Sequence, residues 1–272
     1  MPELPEVQTF VTDLRPQLVG RRIEAVAVHW PRTIAAPDVA AFIERLPGRR
    51  IVDLTRRGKF LLGWLDSGEV LAVHLRMTGR LEIVPCESPV LAGRHVRATF
   101  WLSGDECLVF SDMRKFGRIW LAADANQVVG ELGPEPLAWD FTPELLAERI
   151  RGRRAAIKAL LLNQTVVAGL GNIYADEALF LAGVHPLRLG ASLTAAEATR
   201  LHEAIRQVLG EAIGQRGTTL RDYRPPYGLE AAYQNHLRVY QQTDRPCPRC
   251  GSPIRRIRVT QRSTHFCPQC QM

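Results

Sequence analysis

Apolar residues at the start of the chain fall at Val7, Phe10, Val11, Leu14 and Leu18. This spacing of three and four predicts one amphipathic helix with a single buried stripe, shortened or kinked where Pro16 intervenes. Beyond it the pattern changes. Residues 22–30, 50–65, 69–84, 96–102 and 107–122 are rich in Val, Ile, Leu and aromatics with glycine turns between them, and they read as strands. Residues 38–46 read as a short helix among them. Several strands beneath one covering helix predict a β-sandwich.

The pattern changes again at ELGPEPLAWDF, residues 131–141, where two prolines and a glycine mark a linker. Helical periodicity dominates afterwards, over about 143–151, 154–182 with an internal break, and 194–215. Thr142 followed by Pro143 is an N-cap with proline at the first helical position, and Thr194 opens the last helix. Two short strand-like runs around a turn close the chain. The fold class expected is α+β: an N-terminal sandwich over 1–131, a helical domain over 132–236 and a hairpin domain over 237–272.

With 46% apolar residues in 272, the chain can bury ordinary cores, and no apolar run approaches the roughly 18 residues of a membrane span. A cytoplasmic protein is expected. The net charge of +7 is unevenly placed. The last 36 residues hold seven arginines against one acid, Asp244, which points to a polyanionic partner. Within the same segment Cys247, Cys250, Cys267 and Cys270 form two C-x-x-C pairs, four soft ligands suited to one structural zinc with no open position. Cys86 and Cys107 lack partners at metal spacing and are taken as ordinary strand or loop residues. Only three of the 35 basic residues are lysines: Lys59, Lys115 and Lys158.

Two further stretches carry candidate chemistry. In MPELPEV, removal of the initiator methionine would expose Pro2, a secondary amine titrating near pH 8 and so partly an unprotonated nucleophile at neutral pH, with the Glu3 carboxyl beside it as an acid. Pro5 equally suits the first turn of a helix. In GLGNIYADEALF, Gly169 and Gly171 break a helical pattern and leave backbone amides at a helix start, where a phosphate can bind.

Taken together, PELPEV at the start, RRGKF at 56–60, HLRMTG at 74–79, DMRKFGR at 112–118, LGPEPL at 132–137, GLGNIYADEALF at 169–180 and the terminal cysteine motif resemble the formamidopyrimidine-DNA glycosylases, in that family's order and over essentially the whole chain. The resemblance implies a helix-two-turn-helix arrangement for the helical domain and a monomer acting on double-stranded DNA that contains oxidised bases or abasic sites. It implies base-excision repair in which Pro2 is the nucleophile that forms a Schiff base, Glu3 the acid and Lys59 a catalytic lysine near the lesion phosphate and sugar. Arg262 on the zinc hairpin would contact phosphate and assist the second elimination. Met77, Arg114 and Phe116 would form the wedge that fills the hole left by a flipped base. DNA contacts are further implied for His74, His95, Arg153, Arg154, Lys158 and Asn172, and a lesion loop for Thr218, Thr219 and Tyr223.

The chain departs from the family's usual pattern at Gln8, where glutamate is frequent, at Gly93, where a second histidine is frequent, and at Arg216 and Gln241, where glycine is frequent. Three other readings compete: an endonuclease VIII-like glycosylase for oxidised pyrimidines, a non-catalytic DNA-binding zinc protein, and an RNA-binding zinc ribbon. Pro2, Glu3 and Lys59 together argue against a mere binder. The Met77, Arg114, Phe116 set argues for purines, and the lack of aromatics near the hairpin argues against RNA.

Overall fold

The apolar stripe of the opening segment is entirely buried in helix α1 (Leu4–Leu18), which runs through Pro16 without stopping. At about 1.5–3 kcal/mol for each large side chain removed from water, the five stripe residues contribute on the order of 10 kcal/mol to docking this helix, less whatever the unfolded chain already buries. The computed structural model describes residues 2–219 and 231–272; Tyr223 lies outside the described residues.

Two sheets receive α1. One has the order β1 (Ile23–Val28), β7 (Val96–Leu102), β8 (Glu106–Asp112), β6 (Gly79–Pro85), antiparallel throughout. The other has the order β2 (Ile34–Ala36), β9 (Arg118–Ala122), β5 (Val70–His74), β4 (Phe60–Leu65), β3 (Ile51–Arg57), antiparallel except for β2 with β9. Phe100 and Phe110 from the first sheet, Leu61 and Val73 from the second, and the α1 stripe share one apolar core. The short helix α2 (Val39–Arg45) is capped by Asp38, whose side chain accepts from Ala41 N–H at 3.0 Å.

Each of the three longest strand segments read from the sequence is two strands. The breaks hold Gly58, Arg76 and Lys115 at φ of +56°, +56° and +60°. A pleated ladder cannot continue through a left-handed residue, yet the apolar alternation resumes on either side, so the pattern alone did not mark the breaks. The resulting turns carry Lys59, Met77, Arg114 and Phe116. Cys86 and Cys107 also differ from expectation. They form a disulfide, with Cα atoms 5.3 Å apart, because the β6–β8 register sets Val84 opposite Cys107 and leaves Cys86 just beyond.

Beyond α3 (Asn126–Val129) come α4 (Pro143–Ile150), α5 (Ile157–Leu162), α6 (Asn172–Ala182) and α7 (Ala195–Gly214). Thr142 caps α4 by accepting from Leu145 N–H at 3.2 Å. Thr194 and Glu197 form a reciprocal capping box on α7, and bonds from the Thr194 backbone and from Arg188 hold the Glu197 carboxyl down at about 2. The C-terminal hairpin pairs β10 (Arg255–Val259) with β11 (Arg262–Phe266). The chain divides into two compact units, residues 1–131 with 218–231, and residues 132–217 with 232–272. Among the described residues no helix is long and apolar enough to cross a membrane.

Candidate active site and nucleic-acid interface

Pro2 and Glu3 are buried immediately ahead of α1, and Glu6 is what fixes them. Glu6 is the third residue of α1, so its side chain reaches back to the Glu3 N–H, which it accepts at 2.8 Å. Its second oxygen accepts from Thr218 N–H, also at 2.8 Å. One buried carboxylate therefore ties the start of the chain to Thr218, 212 residues away in the sequence. The sequence alone assigns Glu6 no role, although its spacing from Glu3 is the signal of a capping box.

Helix α1 packs on β3 and β4, and Lys59 sits in the turn that joins these strands, only 6% exposed. Gln8 of α1 accepts from Arg56 Nε at 3.1 Å, so the departure at this position keeps a hydrogen bond across the helix–sheet contact without a carboxylate's charge. His74 ends β5 opposite Phe60, whose ring meets its imidazole edge-on at 4.6 Å. Burial, with the Arg76 and Lys59 charges adding, pushes the His74 imidazole down to about 3, so the ring is neutral at physiological pH. Its Nδ1 accepts from Arg76 N–H at 3.0 Å, which leaves the proton on Nε2 as a donor.

The structure brings Met77, Arg114 and Phe116 together. Arg114 Nη1 lies 3.0 Å from Met77 Sδ, and the guanidinium sits 4.8 Å from the centre of the Phe116 ring. Phe116 and its neighbour Met113 are 47% and 55% exposed, unusual for such side chains unless a surface is meant to receive them. His95 is half-buried; its Nε2 accepts from Arg94 Nε at 3.0 Å, and its carbonyl accepts from Asp112 N–H.

In the other unit Arg153 and Arg154 are exposed between α4 and α5, and Arg262 is exposed at the start of β11. The turn before Arg262 holds Thr260 and Gln261, both at positive φ, +45° and +62°, a costly conformation for a β-branched residue. Lys158 does not stand at the surface as expected of a DNA contact. It is fully buried, with Nζ 2.6 Å from Asp176, donating to Thr264 Oγ1 at 2.8 Å and to Ser263 O at 3.1 Å. Such a charge persists in the interior only when paired and fully bonded. Asn172, at the first turn of α6, donates to the same Ser263 carbonyl at 2.9 Å, while its buried Oδ1 has no hydrogen-bond partner among the described residues. Asp176 also accepts from His265 N–H at 2.9 Å. Glu177, whose carboxyl burial pushes up, accepts from the N–H groups of Arg238, Val239 and Tyr240, each at 2.9 Å. Helix α6 thus grips the C-terminal segment through two successive buried acids, neither of which spacing singled out.

The four thiols of Cys247, Cys250, Cys267 and Cys270 all lie within 4.8 Å of one another. A tetrahedral ion about 2.3 Å from each sulfur needs S···S edges of about 3.8 Å. The Cys247–Cys270 and Cys250–Cys267 separations are 3.8 and 3.5 Å. Arg249 N–H and Cys270 N–H each donate to a cysteine sulfur at 3.4 Å, bonds that favour thiolates. The donor set fits one structural zinc, closed to further ligands.

Three departures gain a physical reading. Arg216 and Gln241 occupy the left-handed region at φ +62° and +60°, so each adopts without strain relief a conformation that glycine takes freely. At Gly93 a Cβ would approach Val90 O to 2.9 Å, so a larger residue there requires that turn to shift.

Comparison with known proteins accounts for all three parts of the chain. The family model of the formamidopyrimidine-DNA glycosylase N-terminal domain matches residues 1–119, that of the family's H2TH domain residues 132–224, and that of a zinc finger found in FPG and IleRS residues 245–271. A formamidopyrimidine-DNA glycosylase from Chloroflexus aggregans is 49% identical over 100% of this chain and 99% of its own length. One from Symbiobacterium thermophilum is also 49% identical, over 100% of this chain and 89% of its own. The Lactococcus lactis enzyme solved with Fapy-dG-containing DNA superposes with a TM-score of 0.91 at 36% identity, covering 99% of both chains. A MutM structure with carbocyclic 8-oxo-G-containing DNA gives 0.91 at 37% identity, again with 99% of both chains covered. With full-length identity near one half and family models matching 1–119, 132–224 and 245–271, the chain belongs to the formamidopyrimidine-DNA glycosylase family.

Proposed function

We propose that this protein removes oxidised purines from duplex DNA and then nicks the abasic strand, with Pro2 as nucleophile. The observation that carries the reading is the buried Pro2–Glu3 pair, held at the positive end of α1 by the Glu6 carboxylate.

The Pro2 nitrogen attacks C1′ of the flipped nucleotide. The glycosidic bond breaks and the base leaves with a proton, while Glu3 supplies a proton to the sugar O4′ as the ring opens. The iminium formed between Pro2 and C1′ acidifies C2′–H. Loss of that proton expels the 3′-phosphate, and a second elimination, assisted by Arg262, expels the 5′-phosphate. Hydrolysis of the iminium returns the amine. Lys59 and the Nε2–H of His74 hold the backbone beside the lesion, while Met77, Arg114 and Phe116 occupy the vacated stack. The zinc supplies no chemistry to these steps; it holds the hairpin that presents Arg262. Solved relatives hold DNA that contains Fapy-dG, carbocyclic 8-oxo-G or an abasic site, which supports the same substrates here. The cytoplasm is the proposed compartment.

Glu3→Gln tests the assignment because it keeps shape and loses the transferable proton. It is expected to bind lesion duplex normally in a gel-shift assay and to excise 8-oxoguanine about a hundredfold more slowly. Excision at the normal rate would remove Glu3 from the role of acid.

A further inference from the structure

The wedge side chains come from two loops, and Phe116 on one of them is 47% exposed. What joins the loops is Asp112, the last residue of β8, buried to 1% exposure. Its Oδ1 accepts from the Thr78 hydroxyl and from Arg114 N–H, the latter at 3.1 Å. Its Oδ2 accepts from Gly117 N–H at 2.7 Å. The Thr78 hydroxyl accepts from Arg114 N–H in turn, at 3.1 Å. One carboxylate therefore closes the loop of Met77 and Thr78 against the loop of Arg114 and Phe116, although they lie 37 residues apart.

The backbone of Asp112 is equally committed. Its N–H donates to His95 O at 2.8 Å, and its carbonyl accepts from the Nε of the buried Arg97 at 2.8 Å. Gly117 leaves no room for change, since a Cβ there would lie 2.4 Å from the Phe110 ring and 3.2 Å from Asp112 Oδ2. At the tip Lys115, in the left-handed region, rests its ammonium 3.9 Å above the Trp30 ring. A solvent-facing loop of this kind would otherwise have to be ordered at the moment of DNA insertion, at the expense of its conformational entropy.

We infer that Asp112 is a positioning residue for base extrusion: its carboxylate preorganises Met77, Arg114 and Phe116 as one wedge before DNA binds. The inference rests on the assignment of those three residues to the wedge. A preformed abasic site has no base to extrude, so its nicking needs the wedge much less than excision does.

The experiment compares single-turnover excision from an 8-oxoguanine:cytosine duplex with nicking of the same duplex carrying an abasic site. Asp112→Asn is expected to lower excision by about ten- to a hundredfold while nicking stays within about threefold. Thr78→Val, which removes both bonds of the hydroxyl and keeps the carboxylate with its bonds from Arg114 N–H and Gly117 N–H, is expected to shift the ratio in the same direction by less, and it carries the test if Asp112→Asn fails to fold. Phe116→Ala, measured alongside, separates the two assignments. If it lowers excision selectively while neither Asp112→Asn nor Thr78→Val does, the positioning role is wrong and the wedge stands. If Phe116→Ala excises normally, the wedge assignment fails and the positioning role with it. Equal loss of both activities in a folded Asp112→Asn protein would make the residue merely structural.

Discussion

Glu6 offers the most direct trial of how the start of the chain is held. Its carboxylate accepts from Glu3 N–H and Thr218 N–H, both at 2.8 Å, at a site 2% exposed. Glutamine is nearly the same shape but offers one acceptor oxygen, so its NH2 must face one of the two N–H groups. A hydrogen bond to a charged group is worth about 1.5–3 kcal/mol, and a buried N–H left unpaired costs about 1–3 kcal/mol. The two figures overlap rather than add. Glu6→Gln is therefore expected to lower unfolding free energy by about 2–4 kcal/mol, seen as a lower urea midpoint with unchanged slope. Because the freed segment carries Pro2 and Glu3, the rate of Schiff-base trapping on lesion DNA is expected to fall about tenfold as well. A variant within about 0.5 kcal/mol of the parent that also traps at the parent's rate would refute the claim that Glu6 positions the nucleophile.

Two other outcomes follow from the geometry. The His74 imidazole is held near 3 in the folded protein against 6.5 when unfolded, so the unfolded chain takes up a proton that the native chain refuses. The stabilisation is present above pH 6.5 and is lost as pH falls towards 3, by up to about 5 kcal/mol; His74→Gln should flatten the urea midpoint across that window, and parallel curves would contradict the burial account. Zinc removal by chelation, or Cys250→Ser, is expected to abolish lesion-duplex binding while the sandwich stays folded. Four of the five tryptophans, Trp30, Trp64, Trp101 and Trp120, lie in that unit and the fifth, Trp139, is already 93% exposed, so tryptophan emission should change little; unfolding of both units together would show that they form a single cooperative block.

Local patterns made much of this legible. The three-and-four stripe of α1, the Thr142 and Thr194 caps and the paired C-x-x-C motifs are each set by neighbours a few residues away, and each holds in the structure. What escaped notice depends on distant partners. Glu6 meets Thr218 across 212 positions, and Lys158 meets Thr264 across 106, so nothing near either residue announces the contact. The resemblance implies a DNA contact at Lys158, and nothing in its neighbourhood announces that Asp176 pairs with it in the interior and makes its burial tolerable. Cys86 and Cys107 were weighed at metal-ligand spacing, whereas cross-strand register decided their pairing. Asp112 lay inside a recognised motif but was overshadowed by the side chains it organises.

The central claim is that the Pro2 amine forms the covalent bond to DNA. The measurement is borohydride reduction during incubation with an 8-oxoguanine:cytosine duplex, followed by proteolysis and mass spectrometry of the cross-linked peptide. The account predicts a stable protein–DNA adduct in a peptide that begins at Pro2, with Met1 gone and the added mass on the proline nitrogen. An adduct on Lys59 or another lysine, or efficient trapping by protein whose N-terminus is acetylated, would contradict it.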